Sequence, residues 1–402
     1  MLAADWKPSA RACDLLLDGL AHLTHEGYQA GAPTLKAALH AFRDEPLSEE
    51  DELRWLWLAC QIARALGDVA AWDEFTARQL ELARRAGAFS LLPVALFDRL
   101  VVEMFSGRIA VARSLAAEAE AVVAATGSQL ALRTAITLAN WRGRDAEAEA
   151  LTEARREDVL QRGEGLWLQG HDWGSAIRYN GLGRYDDALA AAERAVTDPH
   201  GLGLPIWALS ELIEAAVRAG KPERAVDPLA QLAEISEASA TDWALGSHAR
   251  SAALLAEGAA ADALYREALE RLSRIHTRGC ETQARTHLVY GEWLRREGRR
   301  VDAREQLRLA HERYTEMGME VSPSEPAASS SPPERRCANA PPRHSTTSRL
   351  RSSRSPSAPQ AGRPTQRSAA SSSSAHARWS GTCTRSSANS GSARARNSGR
   401  RS

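Results

Sequence analysis

The sequence predicts an all-α protein: an α-solenoid of helix hairpins followed by a disordered C-terminal tail. Three observations carry that reading. Glycines followed by a helical pattern recur at Gly27, Gly67, Gly107, Gly143, Gly183, Gly220, Gly258 and Gly298, at intervals of 36 to 40 residues. Five residues after each glycine stands a small residue in seven cases of eight: Ala32, Ala112, Ala148, Ala188, Ala225, Ala263 and Ala303, with Trp72 in the eighth. Composition then changes abruptly after residue 320, where the aliphatic residues stop.

Each unit reads as one helix ending at a glycine, which enters the left-handed conformation at little cost. A short turn and a second helix follow, and the alanine lets the two helices cross closely. The clearest unit runs Tyr179-Asn-Gly-Leu-Gly183-Arg-Tyr185-Asp-Asp-Ala188-Leu189, with Ala195 two turns further on and Pro199 closing it. Ser48-Glu49-Glu50-Asp51 ahead of Leu53, Trp55, Leu56, Leu58 and Ala59 reads as a capping box at a helix start. Val301, Ala303, Leu307, Leu309 and Ala310 make an amphipathic stripe on the last helix. No alternating strand pattern occurs. This pattern of small and aromatic residues resembles tetratricopeptide repeats, with a period of about 40 in place of the usual 34 or so. Residues 1–320 are therefore expected to hold about eight units. The repeat signature is carried by Gly183, Tyr185, Ala188, Gly220, Ala225, Gly258, Ala263, Gly298 and Ala303.

The formal net charge of +0 conceals two opposite parts. Residues 321–402 hold 14 Arg, no Lys and two acids, a balance of +12, so residues 1–320 carry −12. The tail also holds 23 Ser and 9 Pro but only Val321, Leu350 and Trp379 as large apolar residues. It cannot bury enough surface to offset ordering entropy and is expected to be disordered. Five scattered cysteines without a C-x-x-C spacing argue against disulfides or a zinc site. A charged start with Pro8 and no run of eighteen uncharged apolar residues exclude a signal peptide and a membrane span. A cytoplasmic location follows as the expectation.

The chain offers little chemistry. A phosphate-binding loop needs a lysine after its glycines, and Gly220-Lys221-Pro222 is a repeat turn, so no cofactor residue is assigned. His22, His25 and His40 lack a further ligand in register, and they read as surface or packing residues. Glu49–Glu52 reads as a solvated helix start, and Trp173 and Trp243, each after an Asp, read as core. No nucleophile has a His/Asp set beside it. Catalytic, cofactor-binding and metal residues are none, and the chain is not expected to be an enzyme.

One stretch is more specific: Leu288-Val-Tyr290-Gly-Glu-Trp293-Leu-Arg-Arg-Glu-Gly298-Arg-Arg-Val301-Asp-Ala303-Arg-Glu-Gln-Leu307, with Ala310-His311 and Met317-Gly318-Met319. It resembles the end of the helical-repeat region of the large ATP-binding regulators of the LuxR type, the MalT-like regulators. Thr241-Asp-Trp243-Ala-Leu-Gly246, Ala263-Leu-Tyr265-Arg-Glu-Ala268 and the Tyr179–Tyr185 run are similar to the same family. The resemblance covers most of residues 12–320. It implies an ATPase before the repeats, whose ATP site is absent from this chain, and a helix-turn-helix DNA-binding domain after them.

The tail begins where the approach to that domain would begin, and its codons explain why. A frame shifted by one base takes two bases of each codon from a printed residue and only one from free choice. Across Arg378-Trp379-Ser380-Gly381-Thr382-Cys383, written as the codons CGG TGG AGT GGC ACC TGC, the shifted frame reads VEWHL. Extended over Gln360–Gly391 it contains SARTVEWHLHKVF, which resembles the LuxR-type recognition helix. Residues 321–402 are thus expected to be an out-of-frame translation of the DNA-binding domain, with the slip near Glu320–Ser322. No residue of this chain is assigned to DNA in frame.

The resemblance implies a regulatory or sensor repeat region that binds a protein or a small-molecule inducer on the repeat surface. Specific DNA binding is not expected of this chain, and the basic tail would give at most weak, non-specific nucleic-acid contacts. The alternative is a free-standing tetratricopeptide scaffold for peptide partners. The Lys-poor, acidic body offers no clear basic clamp for it.

Overall fold

Helix after helix closes on a neighbour through small residues. The computed structural model describes residues 11–126, 133–141, 146, 148–152, 157, 161, 165–197, 205–275 and 281–318, and no strand occurs among them. Contacts divide the chain into two units, Met1–Ser330 and Ser331–Ser402. The expected tail, 321–402, lies outside the described residues, as do Gly143 and Pro199.

The first unit is a run of antiparallel hairpins. They are α1 (Ala12–Glu26) with α2 (Tyr28–Asp44), α3 (Glu49–Ala65) with α4 (Val69–Arg85), and α5 (Leu92–Phe105) with α6 (Ile109–Thr126). The fourth hairpin begins with α7 (Arg133–Trp141) and has helical residues at 148–152. Then come α8 (Gly165–Gly181) with α9 (Tyr185–Ala195), and α10 (Pro205–Arg218), whose partner is a 3-10 turn (Pro222–Ala225) running into α11 (Val226–Ser239). The last two pair α12 (Asp242–Leu255) with α13 (Gly258–Ser273) and α14 (Glu281–Arg296) with α15 (Arg300–Glu316).

Local chemistry explains the ends. At Gly67, with φ of 63°, Asp68 N–H donates to the Ala63 carbonyl and Gly67 N–H to that of Arg64. The last carbonyls of α3 are thus satisfied within a three-residue turn. The Asp68 side chain then accepts from Ala71 N–H at 3.0 Å and starts α4. Ser48 Oγ accepts from Asp51 N–H at 3.1 Å, as the capping box requires, and its hydroxyl donates to the Asp51 carboxylate at 2.8 Å.

The crossing residue of each hairpin is set by where the second helix starts. Its fourth residue is buried in every described hairpin: Gly31, Trp72, Ala112, Ala188, Ala225, Ala261 and Ala303. Counting five from the glycine finds this residue wherever the helix begins two residues after the glycine. It fails at Ala263, which is exposed. Here α13 begins at Gly258 itself, so Ala261 takes the crossing position. The stripe read on α15 is also corrected. Val301 is 72% exposed, and the packed face runs Ala303, Leu307, Ala310 and Tyr314, each about one helical turn from the last.

The array does not stay open. Its beginning meets its sixth and seventh hairpins, where Lys36 Nζ donates to the Ala238 carbonyl at 2.8 Å and Thr241 Oγ1 to that of Leu66 at 3.1 Å. Trp207 Nε1 donates to the Arg64 carbonyl at 3.1 Å. The ring of Trp243 lies over Gly67, where a Cβ would stand 2.7 Å from its Cε3. Ala240, the residue between α11 and these contacts, has φ of 51°, and no other non-glycine among the described residues is left-handed.

Inside the curl stands a continuous cluster of rings. Trp72, Phe105, Trp141, Trp173, Trp207 and Trp243 come from six helices, and each is at most 7% exposed. Trp207 stacks on Trp243 at 3.7 Å between centroids, Phe105 meets Trp207 edge-on at 4.5 Å, and Phe105 meets Trp141 at 4.6 Å. Pairs like these add about 0.5–1.5 kcal/mol each beyond the area they bury. Phe105 and Trp141 end their helices, while Trp207 and Trp243 lie in the first turn of theirs. The helices therefore wind around the rings as the array proceeds.

Candidate ligand-binding cavity

Beside the ring cluster the helices leave a cavity of about 360 Å³. Four consecutive hairpins build it. The second supplies Trp57, Gln61, Arg64, Trp72 and Gln79; the third supplies Pro93, Val94, Phe97, Asp98 and Val101. From the fourth come Thr134, Ile136, Asn140 and Trp141, and from the fifth Gly170, His171, Trp173 and Gly174. Most of the wall is apolar, and four of its residues are tryptophan. A concave, largely apolar space with a few convergent polar groups is the usual form of a small-molecule site.

The polar groups fall into two sets. Arg64 Nη2 donates to Gln61 Oε1 at 2.5 Å, and Gln61 Nε2 donates to Asp98 Oδ2 at 3.1 Å, so the glutamine joins a guanidinium to a carboxylate. On α7 three buried polar atoms find no partner in the protein: Thr134 Oγ1, Asn140 Oδ1 and Trp141 Nε1. A buried polar atom without a partner is costly, about 1–3 kcal/mol, and rare in native interiors. His171 also lines the cavity, with Thr152 Oγ1 at 3.5 Å and Ser175 Oγ at 3.4 Å. Arg64 lines the cavity and also accepts the Trp207 bond through its carbonyl, so cavity and closure share a residue.

A second polar assembly joins the fifth to eighth hairpins and is structural. Arg285 grips the fully buried Glu214 with two hydrogen bonds, and Arg218 pairs with the same carboxylate at 2.9 Å and with Glu292 at 2.5 Å. Burial works against the Glu214 charge, but Arg285 and Arg218 outweigh it and hold the group down at about 2. Asn180 Nδ2 donates to Glu211 Oε2 at 2.9 Å. Burial and then the neighbouring Glu214 charge push Glu211 up. Burial and then Glu211 push Glu281 up to about 7.

Apart from the exposed Ala263, the repeat-signature residues lie at turns and crossings and do not line the cavity, whereas Trp72 and Trp173 do. Gly183, Gly220, Gly258 and Gly298 have φ of 74°, 72°, 55° and 76°. Ala188, Ala225 and Ala303 are buried at crossings, and Tyr185 opens α9 with its hydroxyl accepting from Arg218 at 3.2 Å. His22 sits 3.0 Å from Glu26, and no group of three or more His, Cys, Asp or Glu able to hold a metal occurs among the described residues. Trp173 and Trp243 belong to the ring cluster, and each preceding Asp faces an arginine at the far end of its own hairpin. Asp172 accepts from Arg194 at 2.9 Å and Asp242 from Arg274 at 3.3 Å. Trp141 and Trp207 were legible as members of a series, since Phe105, Trp141, Trp173, Trp207 and Trp243 follow one another at 32 to 36 residues. Nothing in the sequence marks Gln61, Asp98 or Asn140. No helix among the described residues is long and apolar enough to cross a membrane.

No family model matches this chain, and no curated protein matches it.

Proposed function

We propose that this chain is the ligand-sensing helical-repeat region of a transcription regulator of the LuxR-type, MalT-like kind, and that it takes a small-molecule inducer in the cavity between hairpins two and five. The observation that carries the reading is the cavity itself: about 360 Å³, walled by tryptophans, with the hydrogen-bonded Arg64, Gln61 and Asp98 among its lining residues. The four hairpins that form the wall converge on this one space, so a ligand filling it would hold them in one arrangement. Arg64 ties that arrangement to the closure of the array. A small ligand is favoured over a peptide because the interior of the curl is filled by rings and leaves no open groove there. This chain itself binds no specific DNA, because the helix that would enter the major groove is read out of frame in residues 321–402.

The test is to restore the frame after Glu320 and to measure operator binding by gel shift with and without each compound that raises the thermal midpoint of the full chain. Ligand-dependent, sequence-specific binding by the restored chain, and none by the present one, is the expected result. Equal binding with and without every stabilising compound would sink the sensor reading.

A further inference from the structure

Gly170 is the sixth residue of α8, where a glycine weakens the helix relative to alanine. One turn on, Gly174 has a local reason, since a Cβ there would stand 2.8 Å from Asn140 Nδ2. Gly170 has no such reason. It lines the cavity, and a Cβ on it meets nothing within 4 Å. The two glycines leave a strip of bare backbone on one face of α8, in a wall shared with Trp141 and Trp173. Bare helix backbone and indole rings suit a flat molecule better than a bulky one.

Among the described residues the wall carries one guanidinium and one carboxylate, Arg64 and Asp98, bridged through Gln61. A charged ligand would surrender its hydration to a largely apolar wall in which these two charges are already joined. At interior packing density the cavity has room for a ligand of about 15 non-hydrogen atoms.

Building on the sensor reading, we infer that the ligand is a neutral, planar aromatic or heteroaromatic molecule resting against Gly170 and the tryptophan wall. Sugars and charged aromatics are the competing classes, and a wall that is mostly apolar disfavours both through the cost of desolvating them.

The test uses the full chain and four probes followed by tryptophan fluorescence and calorimetry: phenanthridinone (a neutral planar lactam), proflavine (a planar cation), anthracene-9-carboxylate (a planar anion) and maltotriose. Phenanthridinone should bind saturably, one per chain, at least about tenfold tighter than any other probe. Gly170→Leu should weaken it at least about tenfold while leaving the thermal midpoint unchanged or raised, because the new side chain enters space the protein does not use. Ile136→Phe, on α7, should act in the same direction. If a charged probe or the sugar binds tightest and Gly170→Leu abolishes that binding, the ligand class is wrong and the sensor reading stands. If phenanthridinone binds the wild type and Gly170→Leu equally, it is not in the cavity and the inference falls. Should no probe bind in a way that depends on Gly170, the sensor reading falls with it.

Discussion

Replacing Glu214 by Gln tests the buried polar assembly most directly. The carboxylate is fully buried, takes two hydrogen bonds from Arg285 and pairs with Arg218 at 2.9 Å. Those two cations hold its ionisation at about 2, against an ordinary value of 4.5. At about 1.36 kcal/mol per pH unit, the difference stabilises the folded chain by about 3 kcal/mol at neutral pH. Because the folded value is the lower one, the stabilisation is complete above about 4.5 and disappears as pH falls through about 2. Glu214→Gln keeps the shape of the side chain and removes the charge, which leaves Arg285 and Arg218 with one counter-charge fewer in a buried place. Urea unfolding of the full chain, followed by circular dichroism, should show a loss of about 3 kcal/mol at pH 7 that shrinks to about 1 kcal/mol at pH 3. A loss below about 1 kcal/mol at pH 7, or one that does not change with pH, would refute the account of Glu214 as the ionised centre of this assembly.

Glu281→Gln should act in the opposite sense. Its carboxyl is raised to about 7, so the unfolded chain gives up this proton first, and wild-type stability falls as pH rises from about 4.5 to 7. The variant should flatten that slope and be the more stable protein at pH 7, as urea midpoints across the range will show. Gly67→Ala should cost clearly more than Gly298→Ala, although both glycines are left-handed. At Gly298 only the backbone penalty of about 1 kcal/mol applies, whereas at Gly67 the new Cβ meets the Trp243 ring at 2.7 Å and must displace it. Thermal midpoints give the difference, and tryptophan emission should shift only in the Gly67 variant. Ala240→Gly, at the left-handed residue beside the closure, should be neutral or stabilising by up to about 1 kcal/mol, and a clear loss of midpoint would argue against strain there.

The hairpins, their turn glycines and most of their crossing residues were legible because they are local. A left-handed glycine and a small residue four positions into a helix are set by backbone sterics within a dozen residues, and the period repeats them often enough to read. Two misplaced crossing residues mark the limit of that logic: Ala263, where Ala261 takes the crossing, and Ala32, where α2 starts one residue after Gly27 and Gly31 takes it. A helix start that moves by two residues changes the face a side chain takes, and no residue type near Gly258 announces the move.

The cavity and the closure belong to another scale. Lys36 and Ala238 are 202 residues apart, and Thr241 and Leu66 are 175 apart, so their contact depends on how small rotations accumulate along six hairpins. Gln61, Asp98 and Asn140 look like ordinary polar residues on amphipathic helices until four hairpins bring them to one space. By itself the sequence determined an all-α hairpin array, its period and the composition break at residue 320, because propensity, turn chemistry and hydrophobic spacing act between near neighbours. Only the tertiary structure decided that the array closes on itself around a tryptophan cluster and keeps an unfilled cavity at Gly170. Both are consequences of long-range packing, which no local pattern encodes.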